Sequence, residues 1–385
     1  MKIIVILIIL ICVGCSQNRS TSISLLDINE NVEVVDFSDI PQNHALISIS
    51  KCIDSVEFIK LEVTEESLIK DIFEVCFSDS YVYVRDSYKG GSVLIFTKQG
   101  DFVKRIPWGN GPAELIIPLC MTYDEKNKEL VVYQLSCFKR FSESGEYITD
   151  KYVDYLAHNI ISLPNGNGYL LCQHYAGPNS SCNLFWVNRD FEVYKQVVLP
   201  GKTLNGFFVY NMSLGVEDNV LFSRWMDNNI YSVNNDSVSI KRILSFGNNA
   251  LDDQLSNDEL SYNSYRSQMK NGLYSNYGSY CETESFERYL IDNGDLWHCY
   301  YFSKRYGTLI GNEVEDFFEM SLIDSPGSYM GKYGNFFVSE IAYRDDLLNY
   351  KANEKVFSPE QMEMLKNFTE NDNPIIMLYS LKDPE

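Results

Sequence analysis

A unit of about 45 residues repeats along this chain, and the repetition limits the fold more than any other feature. Its clearest copy spans residues 72–114, IFEVCFSDSYVYVRDSYKGGSVLIFTKQGDFVKRIPWGNGPAE. Four short apolar runs alternate there with turns. Phe96, Gly100 and Phe102 mark a strand end, a turn and an aromatic restart, and Phe141, Gly145 and Tyr147 repeat that frame 45 residues later. Weaker copies follow at Phe185 with Phe191, where Arg189 replaces the turn glycine, and at Tyr231, where Asn234, Asn235 and Asp236 supply turn chemistry. These four anchors lie 45, 44 and 46 residues apart.

The period is that of a four-stranded propeller blade, and the side-chain pattern excludes a helical repeat of similar length. Tyr81, Tyr83 and Arg85 alternate with Val82 and Val84, as on a strand with one drier face. Val93 to Phe96 is unbroken, as on a strand covered on both faces. Two further anchors, Tyr306 and Tyr379, fall 75 and 73 residues from their predecessors. Each gap exceeds one period by about 30 residues and holds a helical-looking insertion, at 252–274 and 344–370, whose removal roughly restores the period. The expected fold is therefore all-β, a six-bladed β-propeller with two helical insertions. The isolated run VEFIKL, residues 56–61, is expected to pair with the C-terminal strand and complete the last blade, which hides an open edge.

Residues 1–14 read as a signal segment: one lysine, then eleven apolar residues from Ile3 to Val13, too short to span a bilayer comfortably. Gly14-Cys15 resembles a bacterial lipoprotein cleavage site, which makes Cys15 the lipidated first residue of the mature chain. Residues 15–45 are expected to be a tether and lead-in, and 46–385 the propeller. Without Lys2 the chain carries 31 basic against 53 acidic residues, a net charge of −22. Such a balance argues against nucleic acid and anionic lipid surfaces, both of which reward positive patches. The cysteines after Cys15 read as small buried hydrophobes, with Cys172 and Cys182 the best-placed pair for a bridge.

Three segments carry a family resemblance: LIFTKQGDFVKRIPWGNGPAEL, DNNIYSVNNDSV with its following SFG, and NDNPIIMLYSLK. Together they resemble the six-bladed, NHL-like β-propeller lipoproteins of Gram-negative gut anaerobes, over roughly residues 55–385. Gly109 to Glu114 is the most specific piece, with Ala113 where that family tends to have glycine. Most members have no assigned activity, so the resemblance implies envelope binding or scaffolding. The family's surface-displayed members carry acidic residues after the lipidated cysteine, whereas Ser16, Gln17, Asn18 and Arg19 follow Cys15 here. The expected address is an outer-membrane lipoprotein facing the periplasm.

In a propeller, second-to-third-strand turns and inter-blade links emerge on one face around the channel. The second strands are expected to end at Arg85 and Asp86, Gln134, His174, Arg224 and Trp225, Tyr301, and Glu340, which form the candidate ligand-binding set. Both insertions belong to that face as a partial lid. The first brings Tyr262, Tyr265, Tyr274, Tyr277 and Tyr280, rings suited to sugars or peptides or simply to packing the insertion down. Catalytic signals are weak. His44, His158, His174 and His298 have no partner at metal-ligand spacing, and no nucleophile elbow or phosphate loop occurs. No cofactor or metal is expected. The resulting expectation is a non-enzymatic envelope propeller binding a glycan, peptide or protein partner; the alternative is a propeller hydrolase or lyase using converging carboxylates or a channel-bound metal.

Overall fold

The computed structural model describes residues 32–38, 46–86, 91–172, 184–197, 199, 210–235, 237–251, 265, 267, 269, 272–293, 297–311, 329–343 and 356–384. Two strands, β1 (Glu33–Asp36) and β2 (Ile53–Lys60), precede the repeats. Six sheets then follow around a ring. The first holds β3 (Ile72–Phe77), β4 (Tyr81–Asp86), β5 (Ser92–Thr97) and β6 (Phe102–Ile106). The second holds β7 (Pro118–Asp124), β8 (Glu129–Gln134), β9 (Cys137–Ser142) and β10 (Tyr147–Tyr152). The third is β11 (Asn159–Ser162), β12 (Gly168–Cys172), β13 (Leu184–Asn188) and β14 (Val193–Val197). In the fourth are β15 (Tyr210–Leu214), β16 (Val220–Arg224), β17 (Asn229–Val233) and β18 (Val238–Ser245), with β1 added alongside β18 in parallel. The fifth contains β19 (Ser275–Glu282), β20 (Phe286–Asp292), β21 (Trp297–Ser303) and β22 (Thr308–Gly311). The sixth is built from β23 (Tyr329–Tyr333), β24 (Phe336–Ile341), β25 (Ile375–Leu381) and, outermost, β2. The fold is thus an all-β, six-bladed β-propeller.

Period-two alternation decides which neighbour each side chain meets. Val82 and Val84 join the apolar wedge between the first and sixth sheets, while Tyr83 between them joins the wedge toward the second. On β5 the unbroken run divides the same way: Leu94 and Phe96 face the sixth sheet, Val93 and Ile95 the second. One such wedge separates every pair of adjacent sheets. Each fully buried Val, Leu or Phe in them contributes about 1.5–3 kcal/mol.

Polar tips cross the wedges too. Tyr83 donates to the Glu143 carbonyl at 2.9 Å, Tyr133 to that of Tyr155 at 2.9 Å, and Trp186 to that of Asn234 at 3.1 Å. The turn glycines are set by φ and crowding together. Gly100 has φ +94°, and a Cβ there would stand 2.1 Å from the Lys60 carbonyl oxygen of the neighbouring sheet. In the third sheet Phe191 takes the left-handed conformation instead, at φ +59°, and its ring stacks on Phe138 at 4.1 Å.

The anchors Phe96, Phe141, Phe185, Tyr231 and Tyr379 fall on the third strands of their sheets, whereas Tyr306 falls in the turn after β21. Within the expected lead-in, β1 joins the edge of the fourth sheet. Val35 and Phe37 are buried, and Phe37 packs edge-on against Tyr289 and Tyr300 while lying against Phe246. Four residues with one inward side chain, and no partner nearby in sequence, leave too weak a pattern to read as a strand.

β2 pairs antiparallel with β25 from Ile53↔Leu381 to Lys60↔Ile375. The chain therefore runs from the edge of the fourth sheet past the fifth, where Ile47 bridges Ile310, to the edge of the sixth.

Of the insertions, the second carries α1 (Pro359–Lys366), which begins with a capping box at Ser358 and Gln361. Phe357, Leu365 and Phe368 seat it on the core, and Gln361 donates to the Val56 carbonyl at 2.8 Å. Most of the first insertion, including Tyr262, lies outside the described residues, so the expected side-by-side placement of the two insertions as a lid does too. Tyr277 and Tyr280 belong to β19, where Tyr280 is a core residue, and not to the insertion. The register shift between Asn276 and Tyr280 breaks the alternation that would have marked this strand.

Candidate functional site: the channel and its mouth

The first strands of the six sheets ring a central cavity of about 550 Å³. Its wall changes character around the ring. The first two sheets contribute Cys76, Phe77, Cys120, Met121 and Tyr123; the fourth and fifth contribute Met212, Ser213 and Ser279; the sixth contributes Met330, Lys332 and Tyr333. Burial raises the Cys76 and Cys120 thiols well above their ordinary range, with Glu74 adding to the effect, so both thiols stay protonated and neutral. His158 also lines the cavity, and burial lowers its pKa.

At the mouth Arg85 Nε meets Glu74 Oε2 at 2.9 Å, and its Nη1 donates to the Pro118 carbonyl at 3.2 Å. The guanidinium lies 5.3 Å from the centre of the Phe73 ring. Glu74 Oε2 also accepts from the Met121 amide at 3.1 Å, yet burial raises its pKa. Arg85 is thus the one residue of the candidate set placed on the channel wall among the described residues.

The others serve elsewhere. Asp86 is fully buried, accepts from the amides of Lys70 and Asp71 at 3.0 and 3.3 Å, and faces Arg105 Nη1 at 3.7 Å. Gln134 accepts from the Ile116 amide at 2.6 Å. Arg224 is buried against Asp227 at 2.7 Å, and Trp225 donates to the Tyr265 hydroxyl at 3.1 Å while packing on Met226, Leu251 and Met269. Tyr301 requires a correction of place: it sits on β21, a third strand, and its buried hydroxyl lies 2.6 Å from that of Tyr379. The fifth sheet begins one strand earlier than the aromatic run WHCYY suggests, because SNYGSYCE is its first strand. Glu340 is half-buried, and burial together with Asp71 pushes its carboxyl up to about 7. His174, Cys182 and Cys15 lie outside the described residues. Among the described residues no group of three or more His, Cys, Asp or Glu side chains could hold a metal ion.

What sequence reasoning missed is apolar. Phe73, Trp108, Ile117, Leu135, Tyr152 and Leu156 are all exposed, with Phe73 at 59%, Trp108 at 55% and Tyr152 at 74%. All sit on first-strand starts, second-to-third turns, fourth-strand ends or inter-sheet links, so they share the face that bears the channel mouth. Ile117 holds φ +52° and Leu135 φ +30°, conformations that β-branched and bulky residues adopt only under strain.

The link carrying Trp108 and Ile117 is pinned from below. Lys139 Nζ, buried beneath it, donates to the carbonyls of Gly111, Pro112 and Glu114 at 2.9, 2.9 and 2.7 Å, and Glu114 accepts from the Gly111 amide at 2.7 Å. The signal available in sequence was an apolar residue placed in a turn, in PWGNGPAELII and QLSC.

A six-sheet ring around a lined channel, with apolar side chains at its mouth, defines the chain as a six-bladed β-propeller. The chain belongs to the family described as Domain of unknown function (DUF4934), whose model matches residues 32–380. Among solved structures it is similar to a Bacteroides fragilis NCTC 9343 protein described as exported, at 17% identity and TM-score 0.70, over 91% of this chain and 100% of that one. A Bacteroides ovatus auxiliary nutrient binding protein aligns at 12% identity and TM-score 0.31, over 46% and 48% of the two chains. The extracellular domain of a B. thetaiotaomicron hybrid two-component system aligns at 8% identity and TM-score 0.44, over 82% and 38%. No curated protein matches the chain. No helix among the described residues is long and apolar enough to cross a membrane.

Proposed function

We propose that this chain is a non-enzymatic cell-envelope lipoprotein that binds a peptide or protein partner on the face around its channel mouth. The apolar side chains on that face carry the reading. Exposed Trp, Tyr and Phe suit sugars as well as proteins, but Ile117, Leu135 and Leu156 offer aliphatic surface that a hydrophilic glycan rewards little. Strained backbone at Ile117 and Leu135, held over a rigid sheet, is the kind of local cost that binding sites retain.

The envelope address rests on the signal-like segment before Cys15 and is supported by the exported description of the B. fragilis protein. Lipidation at Cys15 and a periplasm-facing outer-membrane position complete the proposal. In it β2, at the outer edge of the sixth sheet, closes the ring as in NHL-like propellers.

Photo-crosslinkers placed at Leu135 and Tyr152, with Tyr306 on the opposite face as control, test this in cells. The expected outcome is a discrete protein adduct from 135 and 152 and none from 306. Adducts of equal strength from all three positions would overturn the reading, as would glycan-array binding without any protein adduct.

A further inference from the structure

Lys332 lines the channel wall. Among the described residues no hydrogen bond or ion pair engages its ammonium, in a chain with 53 acidic residues. The neighbouring carboxylate, Glu282, is already taken: it meets Lys241 at 2.7 Å and Lys304 at 2.9 Å, and accepts from the Val216 amide at 3.1 Å. Burial, with Lys304 and Lys241 adding to it, lowers the Lys332 pKa against the pull of Cys281 and Glu282.

Ser279, also on the wall, accepts from the buried Arg288 Nη1 at 3.2 Å. A hydroxyl oxygen engaged that way keeps its own proton to donate. Two donors, one of them cationic, therefore serve a cavity whose wall also offers sulfur and aromatic ring at Met121, Met212, Met330 and Tyr333, beside polar groups at Glu74, Glu125, Asn159 and Ser213. Arg85, the other wall cation named above, is neutralised by Glu74.

We propose that the channel binds a small organic monocarboxylate, its carboxylate on Lys332 and Ser279 and its apolar body against the methionine and aromatic wall. A single ammonium balances one negative charge, whereas a dianion such as phosphate is better met by paired guanidinium forks. The cavity volume lies within the range of ordinary small-molecule pockets, ~300–1,000 Å³. This site is inside the ring and does not depend on the apolar face.

Titration calorimetry on the purified chain should use benzoate and hexanoate as probes, benzamide and hexanamide as uncharged counterparts, and sulfate as a plain anion. Both acids are expected to bind at least tenfold tighter than their amides and than sulfate. Lys332→Met should remove at least tenfold of that affinity and Ser279→Ala several-fold, with melting curves showing both variants folded.

A second readout needs no variant: benzoate, and not benzamide, should protect Lys332 of the wild-type chain from reductive methylation, read by peptide mass spectrometry. Equal binding of acid and amide, equal or tighter binding of sulfate, unchanged affinity in folded Lys332→Met, absence of protection, or no binding of either acid would each overturn the proposal.

Discussion

The Glu282 carboxylate, at the end of the fifth sheet's first strand, lies 2.7 Å from the Lys241 ammonium of the fourth sheet. Although burial opposes the charge, hydrogen bonds and attraction from Lys241 and Lys304 bring its pKa down to about 2. A carboxyl depressed in the folded state adds stability that is complete above its unfolded pKa and is lost as pH falls through the folded value. The Glu282 contribution, about 3 kcal/mol, should accordingly decline between roughly pH 4.5 and pH 2. Glu282→Gln should lose about that much at pH 7 and flatten the acid limb, as urea midpoints across pH 2–7 would show.

Glu340 carries the opposite sign. Burial and Asp71 raise its carboxyl to about 7, so its contribution to folding is complete below its unfolded pKa and is lost as pH rises through 7. Glu340→Gln should match the wild type at pH 4 and exceed it at pH 8 by about 2 kcal/mol, allowing for partial solvent screening. Paired denaturant titrations at the two pH values check this, and equal gains at both would contradict it.

Phe37 holds β1 to the ring through contacts with Phe246, Tyr289 and Tyr300. Truncation to alanine in so closed a site costs about 3 kcal/mol. Phe37→Ala should lower the urea midpoint accordingly. Hydrogen exchange should quicken first along β18, whose outer edge β1 covers.

Ile117 is both exposed and left-handed. Ile117→Gly should relieve the backbone and raise stability by roughly 1 kcal/mol, net of glycine's extra freedom in the unfolded chain. The same change should weaken crosslinking from positions 135 and 152. Stability and binding moving in opposite directions would separate a binding role from a structural one.

Repetition of a short local pattern made the ring legible. Alternation at residues 81–85 and an unbroken run at 93–96 declare where each strand is covered, because side chains on a strand point to opposite faces whatever the tertiary partner is. Gly100 and Gly145 show in sequence for the same local reason, since both sit at positive φ in a tight turn.

The candidate site was much less legible. Asp86, Gln134 and Arg224 have the polar character of ligand-binding residues, but the fold directs them to buried amides and to Asp227. Nothing in a one-dimensional pattern says which distant group will satisfy a buried polar atom. Tyr301 looked like a rim residue because β19, broken by a register shift, hides its own periodicity.

Period, sheet count and inward faces thus came from the order of residues, for they depend on backbone geometry within a few positions. The seat of β1, the crowding of apolar side chains on one face and the solitary charge of Lys332 came from closure of the ring alone. They depend on which residues far apart in the chain become neighbours, and on which of those neighbours has a hydrogen-bonding group left to give.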